Sequence, residues 1–214
     1  MSISNRLCNA TPFDVEIPCT AGIRISIKPD QSTELSLVQM EDYAPGRPGS
    51  AENLRSLLSY GCFMLDSDRS YDAQVLETLT GTISMMNQQL TEFVNELKKQ
   101  QLSNGTKLDD ETLQAMKESA GYGRFEERLN ILRNRVKMYK KVLGGESVEN
   151  TNRSFDPERT CFASNPPREF PSKLSLAIYL AENPEIAKKN GEMIKGMNNA
   201  KKAATNEQPQ SSAS

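Results

Sequence analysis

Two runs of apolar residues, each stepping 4, 3, 4, 3, 4 along the chain, restrict the fold more than any other feature of this sequence. The first is Leu79, Ile83, Met86, Leu90, Phe93 and Leu97; the second is Phe125, Leu129, Leu132, Val136, Tyr139 and Leu143. A strand puts alternate residues on one face and cannot gather such a set, whereas a helix gathers it into one narrow stripe. Strict alternation of threes and fours is the seam of a helix packed lengthwise on another helix. Each stripe is about 28 Å long at 1.5 Å per residue. The first helix is expected from near Ser70 to about Ser103, where Asn104-Gly105 forms a C-cap pair. Asp109 or Asp110 then caps a second stretch bearing Leu113 and Met116. Gly121-Tyr122-Gly123 bends the chain, and Gly144-Gly145 closes the second seam. Two matched seams with a returning connection predict an antiparallel coiled-coil hairpin over residues 70–145. Pairing within the chain is the favoured arrangement, and pairing between copies is the alternative.

The hydrophobic period changes to two ahead of the hairpin. Phe13, Val15 and Ile17 alternate with Asp14 and Glu16, Ile23, Ile25 and Ile27 with Arg24 and Ser26, and Leu35 and Leu37 with Glu34 and Ser36. Three short antiparallel strands follow, separated by breaks at Pro18–Gly22 and Lys28-Pro29-Asp30-Gln31. Such a module cannot bury its one apolar face alone and needs a helix, another copy or a partner protein on top. Ile23, Ile25 and Ile27 are therefore candidate partner-binding residues. Residues 44–50, Ala-Pro-Gly-Arg-Pro-Gly-Ser, read as a hinge. Ser50 caps a short helix from Ala51 to Tyr60, Gly61 ends it, and Cys62–Leu65 is a buried strand or turn.

Beyond the hairpin, Asp156-Pro157 and Asn165-Pro166-Pro167 forbid regular structure, so residues 146–171 read as an extended strap. Phe155, Phe162 and Phe170 anchor it, and Phe162 and Phe170 join the candidate partner contacts. Ser172 caps a helix from Lys173 to Ala181, Asn183-Pro184 breaks it, and a further turn or two runs toward Lys195. From Gly196 onward the small, polar composition predicts a disordered tail. The expected fold class is α+β, mostly α. Its segments are a β-rich docking module (1–45), a hinge with a short helix (46–69), the hairpin (70–145), strap plus short helix (146–195) and tail (196–214).

Composition excludes several chemistries. The chain contains no histidine, which removes Ser/His/Asp and Cys/His catalysis and most transition-metal sites. Cys8, Cys19, Cys62 and Cys161 lack C-x-x-C spacing and are expected to be reduced, buried thiols. Cys62, just after Gly61, is the one candidate for a reactive thiol, and a core position explains it better. Gly46-Arg47-Pro48-Gly49-Ser50 lacks phosphate-loop spacing, and Pro48 removes a backbone donor. Asp66, Asp68 and Asp72 resemble the start of a calcium loop, but Tyr71 stands where the loop needs glycine, and helix capping explains the acids. No enzyme activity, metal or cofactor is expected. The first residues have no apolar core of a signal peptide, and no run of about 18 apolar residues crosses a membrane. Mean hydropathy is −0.60 and net charge −2, a balance unlike a dedicated nucleic-acid coat. Residues 124–143 nevertheless carry seven basic residues against Glu126 and Glu127, a net charge of +5. Arg128, Arg133, Arg135 and Lys140 are the candidate phosphate contacts. The alternative is a solvated outer face paired with acids such as Glu92 and Glu96 on the other arm.

The order of parts, an alternating β segment (Phe13 to Leu37), a Pro/Gly hinge (Pro45 to Gly49), a helical hairpin and a Phe/Pro strap (Phe155 to Pro171), resembles accessory virion proteins of tailed bacteriophages. The stretches Asp66-Ser-Asp-Arg-Ser-Tyr-Asp72 and Asn165-Pro-Pro-Arg-Glu-Phe-Pro171 are similar in character. The resemblance implies synthesis in the host cytoplasm and incorporation into a virion. It also implies a structural, non-enzymatic role in capsid or tail assembly through contacts with other structural proteins or with copies of itself. Nucleic-acid binding or packaging through the basic helix is the second expectation.

Overall fold

The computed structural model describes residues 3–18, 24–36, 39, 50–103, 109–144 and 159–206. The chain divides into two compact units, Met1–Lys140 and Lys141–Ser214. The β module, the short helix and the hairpin thus belong to one unit.

That unit is built on a strand that lacks the alternation of the others. β1 (Ile3–Asn9) is the centre of a three-stranded antiparallel sheet, flanked by β4 (Ser32–Glu34) and β5 (Cys62–Asp66). Leu7 stands opposite Thr33 on one side and Met64 on the other. β2 (Val15–Pro18) and β3 (Arg24–Ile27) form a separate two-stranded hairpin, with Val15 opposite Ile27 and Ile17 opposite Ile25. The third expected strand therefore starts earlier than its leucines suggest and pairs with β1 rather than with the hairpin. The apolar face of the hairpin is covered from within the chain. Val15, Ile17, Ile25 and Ile27 share one core with Leu7, Leu35, Cys62 and Leu57. Leu57 comes from α1 (Ser50–Tyr60); the expected hinge before that helix, residues 44–49, lies outside the described residues.

Gly61 joins α1 to β5 with φ +71, and a Cβ there would lie 2.1 Å from Thr11 Cγ2. Only glycine meets both demands. Helix α2 (Tyr71–Ser103) follows β5 and is pinned to its end by the buried Gln74. Gln74 Nε2 donates to Asp66 O at 2.9 Å, and its Oε1 accepts from Asp66 N at 2.9 Å. Asp109 caps α3 (Asp110–Ser119) by accepting from Thr112 N at 2.7 Å. Gly121, at φ +78, turns the chain into α4 (Tyr122–Leu143).

Helices α2 and α4 run antiparallel. Phe93 stacks on Tyr122 at 3.9 Å, and Arg133 reaches Asn87 Oδ1 at 2.7 Å. Leu79, Met86 and Leu97 are buried on one arm, and Leu129, Leu132, Val136 and Tyr139 on the other. Leu143, expected to close the second seam, is exposed.

The second unit contains a short ribbon, β6 (Thr160–Cys161) with β7 (Arg168–Glu169), then α5 (Lys173–Glu182) and α6 (Pro184–Asn206). Ser172 and Ser175 form a capping box on α5. Cys161, Phe170 and Leu176 are the core, with Tyr179, Leu180 and Ile186 packed on it. Asn190 of α6 holds the ribbon by accepting from Phe162 N at 2.7 Å. Helix α6 continues through Gly196 to Asn206, where the sequence predicted a tail. One glycine among lysine, methionine and alanine costs about 1 kcal/mol, too little to end a helix already anchored at Ile186 and Asn190. Residues 207–214 and Phe155 lie outside the described residues.

Candidate docking groove

Asn9, the last residue of β1, organises the wall of an open groove in the first unit. Its fully buried side chain donates through Nδ2 to Phe13 O at 2.7 Å and to Lys28 O at 3.1 Å. Its Oδ1 accepts from both Thr11 N and Thr11 Oγ1 at 2.8 Å. One amide thus ties residues 11–13 to the end of β3. The loop is held from the other side by Arg135 of α4, which is fully buried. Arg135 Nη1 donates to Ala10 O at 3.0 Å, and the guanidinium grips Asp30 by both oxygens, at 2.6 and 3.1 Å. The two side chains are 0% and 3% exposed. Asp30 presents its carboxylate from a turn at φ +53, a conformation aspartate tolerates better than most residues.

Held this way, Phe13 lies under Arg128, whose guanidinium carbon is 4.6 Å from the ring centre. A groove of about 300 Å³ opens beside them. Met86 of α2, Phe125 and Leu132 of α4 and Tyr60 line it, together with the polar Thr11, Ser59, Thr82 and Gln89. Asp14 and Glu16 stand along the β2 side, opposite in charge to Arg128. Both acids are exposed and have partners that do not line the groove, Asp14 with Lys28 at 3.5 Å and Glu16 with Arg24 at 3.2 Å. A lining that mixes thioether and ring carbon with polar groups and charges of both signs suits the side chains of a protein partner.

The residues singled out in sequence have diverse fates. Ile25 and Ile27 are core residues, so the proposed partner face is an internal face of this chain; Ile23 lies outside the described residues. Phe170 is likewise buried, against Cys161 and Leu176, and only Phe162 is half-exposed. Arg135 cannot meet phosphate, because it is buried in the pair with Asp30. Arg133 is exposed but bonded to Asn130 and Asn87, Arg128 lies over Phe13, and Lys140 is exposed on the last turns of α4. Glu92 and Glu96 meet Gln88 and Lys99 of their own helix, and the cross-arm bond of the basic stretch is Arg133 to Asn87. The Asp30–Arg135 pair was not anticipated. Its signal was the place of Arg135 beside the seam, three residues after Leu132 and four before Tyr139.

The Cys8 and Cys62 thiols are poor nucleophiles. Burial pushes Cys8 and Cys62 up to about 12, with Arg6 opposing the shift at Cys8 and Cys8 adding to it at Cys62. Cys161 is also free and buried, and Cys19 lies outside the described residues. Among the described residues, no group of three or more His, Cys, Asp or Glu is placed to hold a metal ion. None of their helices is long and apolar enough to cross a membrane. No family model, curated protein or solved structure matches the chain.

Proposed function

We propose that the chain is a non-enzymatic structural protein that docks on other protein subunits as an accessory component of a phage virion, in the capsid, neck or tail. The observation that carries the docking reading is the groove. The loop that lines it, residues 11–13, is fixed by the Asn9 and Arg135 contacts, and the mixed lining of the groove matches protein side chains in polarity. The virion setting rests on the order of sequence parts, with synthesis in the host cytoplasm before incorporation. Rate-zonal sedimentation of material from the producing cells tests both statements. The chain is expected to travel with large particles, and Arg128→Glu should release it to the light fractions. Migration of the unmodified chain only near its own 23.8 kDa would sink the proposal.

The packaging alternative loses Arg135 to the protein interior. No retardation of duplex DNA is expected even at low salt, where phosphate contacts are strongest. A retarded band abolished by Arg133→Glu would reverse the order of the two readings.

A further inference from the structure

Helix α6 carries a third seam. Ile186, Asn190, Met193, Met197 and Ala200 step 4, 3, 4, 3, and the spacing continues in sequence to Ala204. The first two positions are covered within the second unit, Ile186 by the Cys161–Phe170–Leu176 core and Asn190 by its bond to Phe162 N. The next two are not. Met193 is 47% and Met197 41% exposed, two of the three exposed large hydrophobic residues among those described. One continuous helix face thus passes from buried to bare in a single turn.

The charges around that face are of one kind. Lys188 and Lys195 lie on the opposite side of the helix, with Lys202 in the same register, and Lys189 and Lys201 occupy positions flanking the seam. The flanking positions 187, 189, 194, 196, 201 and 203 contain no acid. The helix has five lysines against Glu185 and Glu192, a net charge of +3.

We propose that the C-terminal half of α6 docks an acidic amphipathic helix of a partner protein, with Met193, Met197 and Ala200 in the shared seam and the partner's glutamates drawn to the acid-free flanks of this net-positive helix. A narrow stripe at this spacing fits a helix, and flanking charges set which helix is chosen. The same helix of a second copy offers the same acid-free flanks and supplies no counter-charge there. A lipid surface is the weaker match, since interfacial helices insert aromatic and leucine side chains that this stripe lacks.

The inference rests on the docking reading and names its partner, and its test is independent of sedimentation. The full chain is titrated by calorimetry with a synthetic peptide of four heptads, leucine at the seam positions and glutamate at the flanks. Saturable binding is expected, weakened by salt and at least about tenfold by Met193→Asp combined with Met197→Asp. Both residues are exposed, so unchanged circular dichroism is expected for the variant. No binding, or equal binding of the same peptide with lysine flanks, overturns the proposal while leaving the sedimentation result standing. Two further outcomes overturn it in favour of another occupant. One is a dimer in light scattering that the double variant dissolves. The other is binding to phosphatidylserine/phosphatidylcholine vesicles that the variant loses.

Discussion

Arg135 and Asp30 are costly side chains to bury in the first unit, and each offsets the charge of the other. A charge taken out of water without a partner costs several kcal/mol, whereas a well-made buried pair is close to neutral against an apolar replacement. Arg135→Met alone is therefore expected to lower stability by about 3–5 kcal/mol, because the buried Asp30 carboxylate loses the guanidinium it faces. Combining it with Asp30→Asn should restore part of that loss, since asparagine also tolerates the positive φ of the turn. Urea titration of the four proteins measures the coupling; strict additivity would mean that the pair does not hold α4 to the turn. The same logic separates residues by what their neighbours permit. Lys140, five positions after Arg135, is exposed on the same helix, and the spacing of Arg135 from Leu132 and Tyr139 does not by itself say which cation finds a counter-charge. What separates them is a carboxylate 105 residues away in the chain.

At the scale of elements, two glycines with similar backbone angles close two joints for different reasons. Gly61 sits between α1 and β5, and a methyl group there would strike Thr11, which Asn9 holds in place. Gly121 sits between α3 and α4, and a methyl group there would meet nothing within 4 Å. Gly121→Ala should cost only the left-handed strain, about 1–2 kcal/mol, and Gly61→Ala about 2–5 kcal/mol, because crowding adds to the same strain. Thermal unfolding of the two variants gives the comparison, and equal losses would contradict the crowding argument. The two seam helices were legible in the sequence. The start of α2 is within a residue of Ser70 and its end is at Ser103, because a 3–4 spacing sustained over many turns has one solution. β1 was not legible. Its residues Ser4, Asn5, Arg6 and Asn9 are polar, and its strand character comes from pairing on both edges with segments far along the chain.

Across the whole molecule, the buried thiols of β1 and β5 couple stability to alkaline pH. In the fold, Cys8 and Cys62 release their protons only at about 12, against an ordinary value of 9.0. The folded state therefore holds protons that the unfolded state gives up. Stability is complete below about pH 9 and declines as pH rises toward 12, by about 1.4 kcal/mol per pH unit for each thiol. Tyr71 shifts in the same direction, first through burial and then through neighbouring Cys8, Tyr139, Asp30 and Asp72. Urea midpoints should fall between about pH 8 and about pH 10.5. Cys8→Ala combined with Cys62→Ala should flatten part of that slope, and an unchanged slope would mean that the thiols are not its source.

Periodicity and breakers, which are local properties, determined the helices, their caps at Asp109 and Ser172, the bend at Gly121 and the alternating strands. They act over a few residues, so a sequence displays them directly. Tertiary structure alone decided where each apolar face is covered. Ile25 and Ile27 needed a partner on sequence grounds and found it in β1, β5 and α1 of their own chain. Arg135 read as a phosphate contact until the turn at Asp30 met it in the interior. The third seam, on α6, is masked in the sequence by its lysines and Gly196, and the packing of Ile186 and Asn190 beside the bare Met193 and Met197 is what sets it apart. Burial is a property of pairs of surfaces brought together from distant parts of a chain, and no single stretch of sequence contains both members of the pair.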